Sequence, residues 1–156
     1  MEESIKIEEA IAKALKLEAV DPRTYSPLVL AYIGDAVYEL LIRTKVINHG
    51  SMQVNKMHKK SASLVKAETQ ANIIKAIQDD LTEEELAVYK RGRNAKSATT
   101  AKHATMIDYR MATGLEALVG WLFLTEQYAR LVELVSRGLV KAGLLEPWDE
   151  KGETEG

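Results

Sequence analysis

Cysteine is absent from the 156 residues, and that one absence removes disulfide frameworks, thiol nucleophiles and cysteine-rich zinc sites together. Any metal is left to oxygen or histidine ligands. Long apolar runs are missing too. No window reaches the roughly 18 consecutive apolar residues of a membrane span. The opening MEESIKIEEA is acidic where a secretory signal would be basic and then apolar, so the expectation is a cytoplasmic protein. No stretch alternates polar and apolar residues as a strand would, and no repeat of solenoid period occurs. The common catalytic signatures are lacking as well: no HExxH spacing among His49, His58 and His103, no phosphate-binding glycine loop, and no nucleophile elbow for Ser/His/Asp chemistry.

What is present is a chain of single-domain length, large enough to bury roughly 70% of the surface its unfolded form would expose. The formal net charge is only -2, but the charges are segregated. Residues 1–21 hold six acids against Lys6, Lys13 and Lys16, and residues 144–156 hold five against Lys151. Between Lys90 and Arg110, six Lys or Arg residues face Asp108 alone, and Lys56, Lys59, Lys60 and Lys66 meet no acid before Glu68. A basic stripe on a protein neutral overall suits a polyanion; ordinary solvated helix faces would read the same way.

The apolar spacing predicts helices throughout, and the fold class is all-α: an irregular bundle of six or seven helices. A short amphipathic helix over residues 4–17 is expected to serve packing only. Ser26 and Pro27 suit the N-cap and first position of a long helix ending near Asn48. Residues 53–77 predict a helical stripe, broken into two near Ser61 to Ser63, with a basic opposite face. Thr82 and Glu85 form a capping box for a short helix that Gly92 should stop. The polar stretch from Gly92 to Thr105 then reads as a surface loop. Helices over 106–125 and 126–142 follow, the second closed by Gly143. Residues 1–145 are expected to form one domain, and residues 146–156 a disordered acidic tail.

Two acids break the apolar pattern. Asp35 lies in SPLVLAYIGDAVYELLIRT, a segment apolar on every side, and Glu116 lies in GLEALVGWLFL. A carboxylate sunk among leucines costs several kcal/mol unless a cation or good donors meet it. Small residues flank both: Gly34 and Ala36 beside Asp35; Gly114, Ala117 and Gly120 around Glu116. They would let two helix backbones approach until the carboxylates share one ligand, for which Mg²⁺ is the economical choice, with Mn²⁺ as a substitute. Pairing with Arg43 or Arg110, or capping of a helix end, would satisfy each acid equally well. Glu39 has a simpler partner in Arg43 one turn on.

At these residues the chain resembles the ribonuclease III family. AYIGDAVYEL is similar to the family's signature, a Gly-Asp pair inside an apolar helix, and TGLEALVGWLFL to its second carboxylate helix. RGRNAKS, MHKKSASLV and YRMATGLEAL resemble the compact bacterial Mini-ribonuclease III branch, which has a catalytic domain and no double-stranded-RNA-binding domain. The match spans roughly residues 24–140. It implies a homodimeric, Mg²⁺-dependent endonuclease for double-stranded RNA that matures the large-subunit (23S) ribosomal RNA precursor. Asp35 and Glu116 match the catalytic, metal-binding carboxylates. The larger enzymes carry two further acids where this chain has Ala31 and Thr113. Without a separate binding domain the duplex must be gripped by the catalytic domain, and the candidates are Arg91, Arg93, Asn94, Lys96, Lys102 and His103, followed by Lys59, Lys60 and Lys66. The competing reading is a noncatalytic RNA-binding or ribosome-assembly module that retains the fold.

Overall fold

The computed structural model describes residues 6–48, 53–95 and 105–146. Within them lie seven α-helices: α1 (Ile7–Ala14), α2 (Pro27–Ile47), α3 (Val54–Val65), α4 (Ala67–Ile77), α5 (Glu83–Asn94), α6 (Met106–Leu124) and α7 (Tyr128–Lys141). Short 3₁₀ turns occupy Pro22–Thr24 and Gln78–Asp80, and no strand occurs among the described residues.

The centre of the bundle is α6. Ten of its residues, from Ala112 to Leu122, are buried on every side, as expected of a helix with no polar face. It packs against α2, α4, α5 and α7. Its start is fixed by Thr105, whose hydroxyl accepts from the Asp108 amide at 3.1 Å. The signals at the start of α2 also operate, with Pro27 first in the helix and the Ser26 hydroxyl accepting from the Val29 amide. Gly143, at φ +76°, adopts the left-handed turn just past the end of α7.

Four expectations need correction. α2 is not enclosed all round: Leu30, Gly34, Val37, Tyr38 and Ile42 face the core, while Val29, Tyr32 and Leu40 stand 45%, 83% and 64% exposed along the other side. Asp35 itself is exposed. The break between α3 and α4 falls at Lys66, whose extended ψ of 153° ends one helix and starts the next, later than Ser61 to Ser63. α5 does not stop at Gly92 but continues to Asn94, because Gly92 is a packing residue: a Cβ there would lie 2.7 Å from the Ala117 Cβ of α6. α1 packs less than expected. None of its residues is buried, Ile7 and Ile11 are exposed, and Lys6, just before it, pairs with Glu126 at 3.1 Å. The expected acidic tail, apart from Glu146, and the Asn48-His49-Gly50 turn beyond Asn48 lie outside the described residues. No helix among the described residues is long and apolar enough to cross a membrane.

Candidate metal centre and nucleic-acid interface

Two glycines set the distance between α2 and α6. A Cβ on Gly34 would run into the backbone carbonyl of Glu116, and one on Gly120 into that of Leu30. Each helix therefore touches the other's main chain, and the side chains on either side of the contact are forced together. Asp35 and Glu116 are the acids so placed.

Asp35 is exposed and Glu116 half-buried. Burial pushes the Glu116 carboxyl up to about 9, and the adjacent Asp35 pushes the same way. Tyr38 lies one turn beyond Asp35 and is fully buried. Its hydroxyl donates to the Leu64 carbonyl at 2.6 Å, which docks the end of α3 beside the pair. Burial, then the charge of Glu116, raises its pKa.

The pairings that would have made these acids architectural do not occur among the described residues. Arg43 bonds Glu39 at 2.9 Å, as expected, and neither Arg43 nor Arg110 forms an ion pair with Asp35 or Glu116. The donor set suits a hard divalent ion, since two carboxylates that repel one another bind such an ion more readily than they stand alone, and Mg²⁺ commonly keeps several waters beside one or two protein carboxylates. No third His, Cys, Asp or Glu joins the pair among the described residues. Ala31 is buried, and the buried Thr113 turns its hydroxyl to the Tyr109 carbonyl of its own helix at 3.0 Å.

Of the candidate RNA contacts, Arg91 and Asn94 are exposed at the end of α5. Arg93 is half-buried there, its guanidinium 5.6 Å from the Tyr89 ring centroid and its Nε donating to Asn94 Oδ1 at 3.2 Å. Lys96, Lys102 and His103 lie outside the described residues. Lys59, Lys60 and Lys66 are exposed, the last two residues beyond the carbonyl that Tyr38 holds. The sequence reading missed one buried acid. Glu85 is 4% exposed and takes two bonds of 2.9 Å from Arg130 of α7, besides closing the capping box. The Arg130 bond comes first in holding its carboxyl below the usual range. The capping box was the visible signal; the distant arginine had none.

A model of the ribonuclease III domain matches residues 28–127, a span containing both carboxylates. The chain belongs to the ribonuclease III family. Ribonuclease III family members are endoribonucleases, and this one is similar to proteins named Mini-ribonuclease 3. It is 53% identical to that of Clostridium tetani over 116 residues, covering 74% of this chain and 77% of the relative. It is 45% identical to that of Enterococcus faecalis over 125 residues, covering 79% and 95%. A crystal structure of a Fusobacterium nucleatum protein superimposes with a TM-score of 0.70 at 33% identity, covering 75% of this chain and 95% of the other. The domain match and this structure agree with an all-α fold.

Proposed function

We propose that this protein is a cytoplasmic, homodimeric endoribonuclease that cleaves double-stranded RNA with Mg²⁺ and matures the 23S ribosomal RNA precursor, residues 1–145 forming its catalytic domain. The convergence of Asp35 with a half-buried Glu116 whose pKa is pushed up to about 9 carries the reading. Asp35 and Glu116 would hold the cation. When bound, it supplies Lewis-acid stabilisation of the phosphodiester and a more acidic water for attack. Within the chain itself, Gly34 and Gly120 set how closely α2 and α6 approach, and the packing of α2 on α6 limits the water that could satisfy Glu116 instead. Tyr38 anchors the end of α3, with Lys66 near it, at the edge of the site. Arg91, Arg93, Asn94, Lys96, Lys102 and His103 would contact phosphate and sugar oxygens of an A-form duplex.

Cutting both strands of a duplex calls for two sites related by a two-fold axis, and an isologous interface provides them. The exposed stripe of Val29, Tyr32 and Leu40 supports α2 as that interface. Val37, on the same helix, faces the core instead.

Incubating a structured double-stranded RNA with the protein, with and without Mg²⁺, tests the reading. Cut products in Mg²⁺ alone are expected, and Asp35→Asn or Glu116→Gln should abolish them while RNA is still bound. Full cleavage by either variant would refute the assignment. The noncatalytic alternative draws on Ala31 and Thr113, which offer no ligand, and it predicts binding without products from the unmodified chain. Arg91→Ala with Lys96→Ala should weaken binding to all duplexes and flatten the salt slope by roughly 0.7–0.9 per lost phosphate contact.

A further inference from the structure

A second cleft, of about 280 Å³, opens between the end of α5 and the first turns of α6, among Tyr89, Arg93, Asn94, Ile107, Arg110 and Met111. It is separate from the carboxylates. Ile107 and Glu116 are nine residues apart on α6, about two and a half turns, so they project to opposite sides of the helix.

Its polar groups are unusual in what they leave open. Tyr89 is wholly buried and the Arg93 guanidinium lies beside its hydroxyl, yet that hydroxyl makes no well-formed hydrogen bond among the described residues, whereas a buried phenol normally finds a partner. Arg93 is held against the Tyr89 ring and tethered to Asn94, so its guanidinium stays at the cleft. Arg110 is exposed and forms no ion pair among the described residues. Ile107 and Met111 add apolar wall. A flat cation backed by an aromatic ring, a second cation, an apolar side and an unsatisfied hydroxyl together match a planar base carrying a phosphate. Proteins take unpaired nucleotides in this way, stacking the base on aromatic or guanidinium planes and bonding its edge. A paired base in an A-form helix cannot enter such a cleft.

We infer that this cleft binds one unpaired nucleotide unit, the base against Arg93 and the phosphate between Arg93 and Arg110. The inference rests on the RNA reading above for its source, and a free nucleotide carries the same chemistry. Binding is measured in chelator, so that nothing is cut, with three probes: a blunt RNA duplex, the same duplex with a one-nucleotide overhang, and adenosine 5′-monophosphate. The overhang is expected to tighten binding about tenfold, the scale of one stacked base, and the mononucleotide to shift amide resonances of residues 89–94 and 107–111.

Tyr89→Phe removes a hydroxyl that makes no hydrogen bond among the described residues. It should fold with an unchanged melting temperature and bind and cut blunt duplex normally, yet lose most of the overhang advantage. Arg110→Ala should lose it too. A mononucleotide shift with no overhang advantage would assign the cleft to free nucleotides. Equal binding of both duplexes with no mononucleotide shift, or an advantage that both variants retain, would overturn the inference. Failure of the ribonuclease reading would appear separately, as no binding or cleavage of the blunt duplex.

Discussion

Glu85 and Glu116 are both withdrawn from water on helices that pack together, and the chain treats them oppositely. Glu85 receives two bonds from Arg130 and a backbone amide at Thr82, so its carboxyl is held below the usual range. Glu116 receives no cation among the described residues, and burial first, then the facing Asp35, push its carboxyl up to about 9. A buried acid with its own arginine is architecture, tying α5 to α7. A half-buried acid facing a second acid is, on the reading proposed above, a place for a cation.

The comparison breaks most sharply in cleavage. Glu116→Gln and Asp35→Asn should lower the cleavage rate by at least about 10²–10³ while denaturant midpoints hold or rise, and a loss of folding instead would place Glu116 with the architectural acids. Gly34→Ala tests the spacing. Its Cβ meets main chain rather than a flexible side chain, so the carboxylates must shift, and a displacement near 1 Å costs on the order of 10² in rate. Gly138→Ala, which meets the Ile73 Cγ2 at 2.5 Å, is the control: stability falls and cleavage of the folded fraction does not.

Arg130→Leu acts on the other glutamate. It strands Glu85 and should cost about 3 kcal/mol, the low end for a buried pair because Arg130 is 24% exposed. Adding Glu85→Leu should recover part of that, the rest being the lost cap. Cleavage per folded molecule should be unchanged throughout.

The two glutamates also differ in pH. In metal-free protein the folded state keeps the Glu116 proton between 4.5 and about 9, where the unfolded chain has lost it, so stability falls as pH rises across that window. For Glu85 the sign reverses. Its contribution is complete above 4.5 and is lost as pH falls through the lowered folded value. Denaturant melts in chelator should show Glu116→Gln flattening the alkaline limb and Glu85→Gln the acid limb.

Much of this was legible in the sequence. Helix starts at Ser26 and Thr82 are local hydrogen-bond signals, and they were read correctly because both partners of each bond lie within three residues. The two acids stood out against apolar surroundings. What periodicity could not supply was which side of α2 is covered, since that helix is apolar on both. Asp35 therefore looked buried when only Glu116 is partly so. Gly92 looked like a helix stop because its tight fit against Ala117 is a tertiary fact. Arg130, 45 residues from Glu85, left no trace in local pattern.

The central claim is that Asp35 and Glu116 form a cation site, and calorimetric titration of Mn²⁺ into the metal-free protein at pH 7 tests it most directly. Wild type should bind and release about one proton per site, the one Glu116 holds, measured by comparing buffers of different ionisation enthalpy. Glu116→Gln should bind far more weakly and release none. Equal affinity and equal proton release in the two proteins would contradict the account.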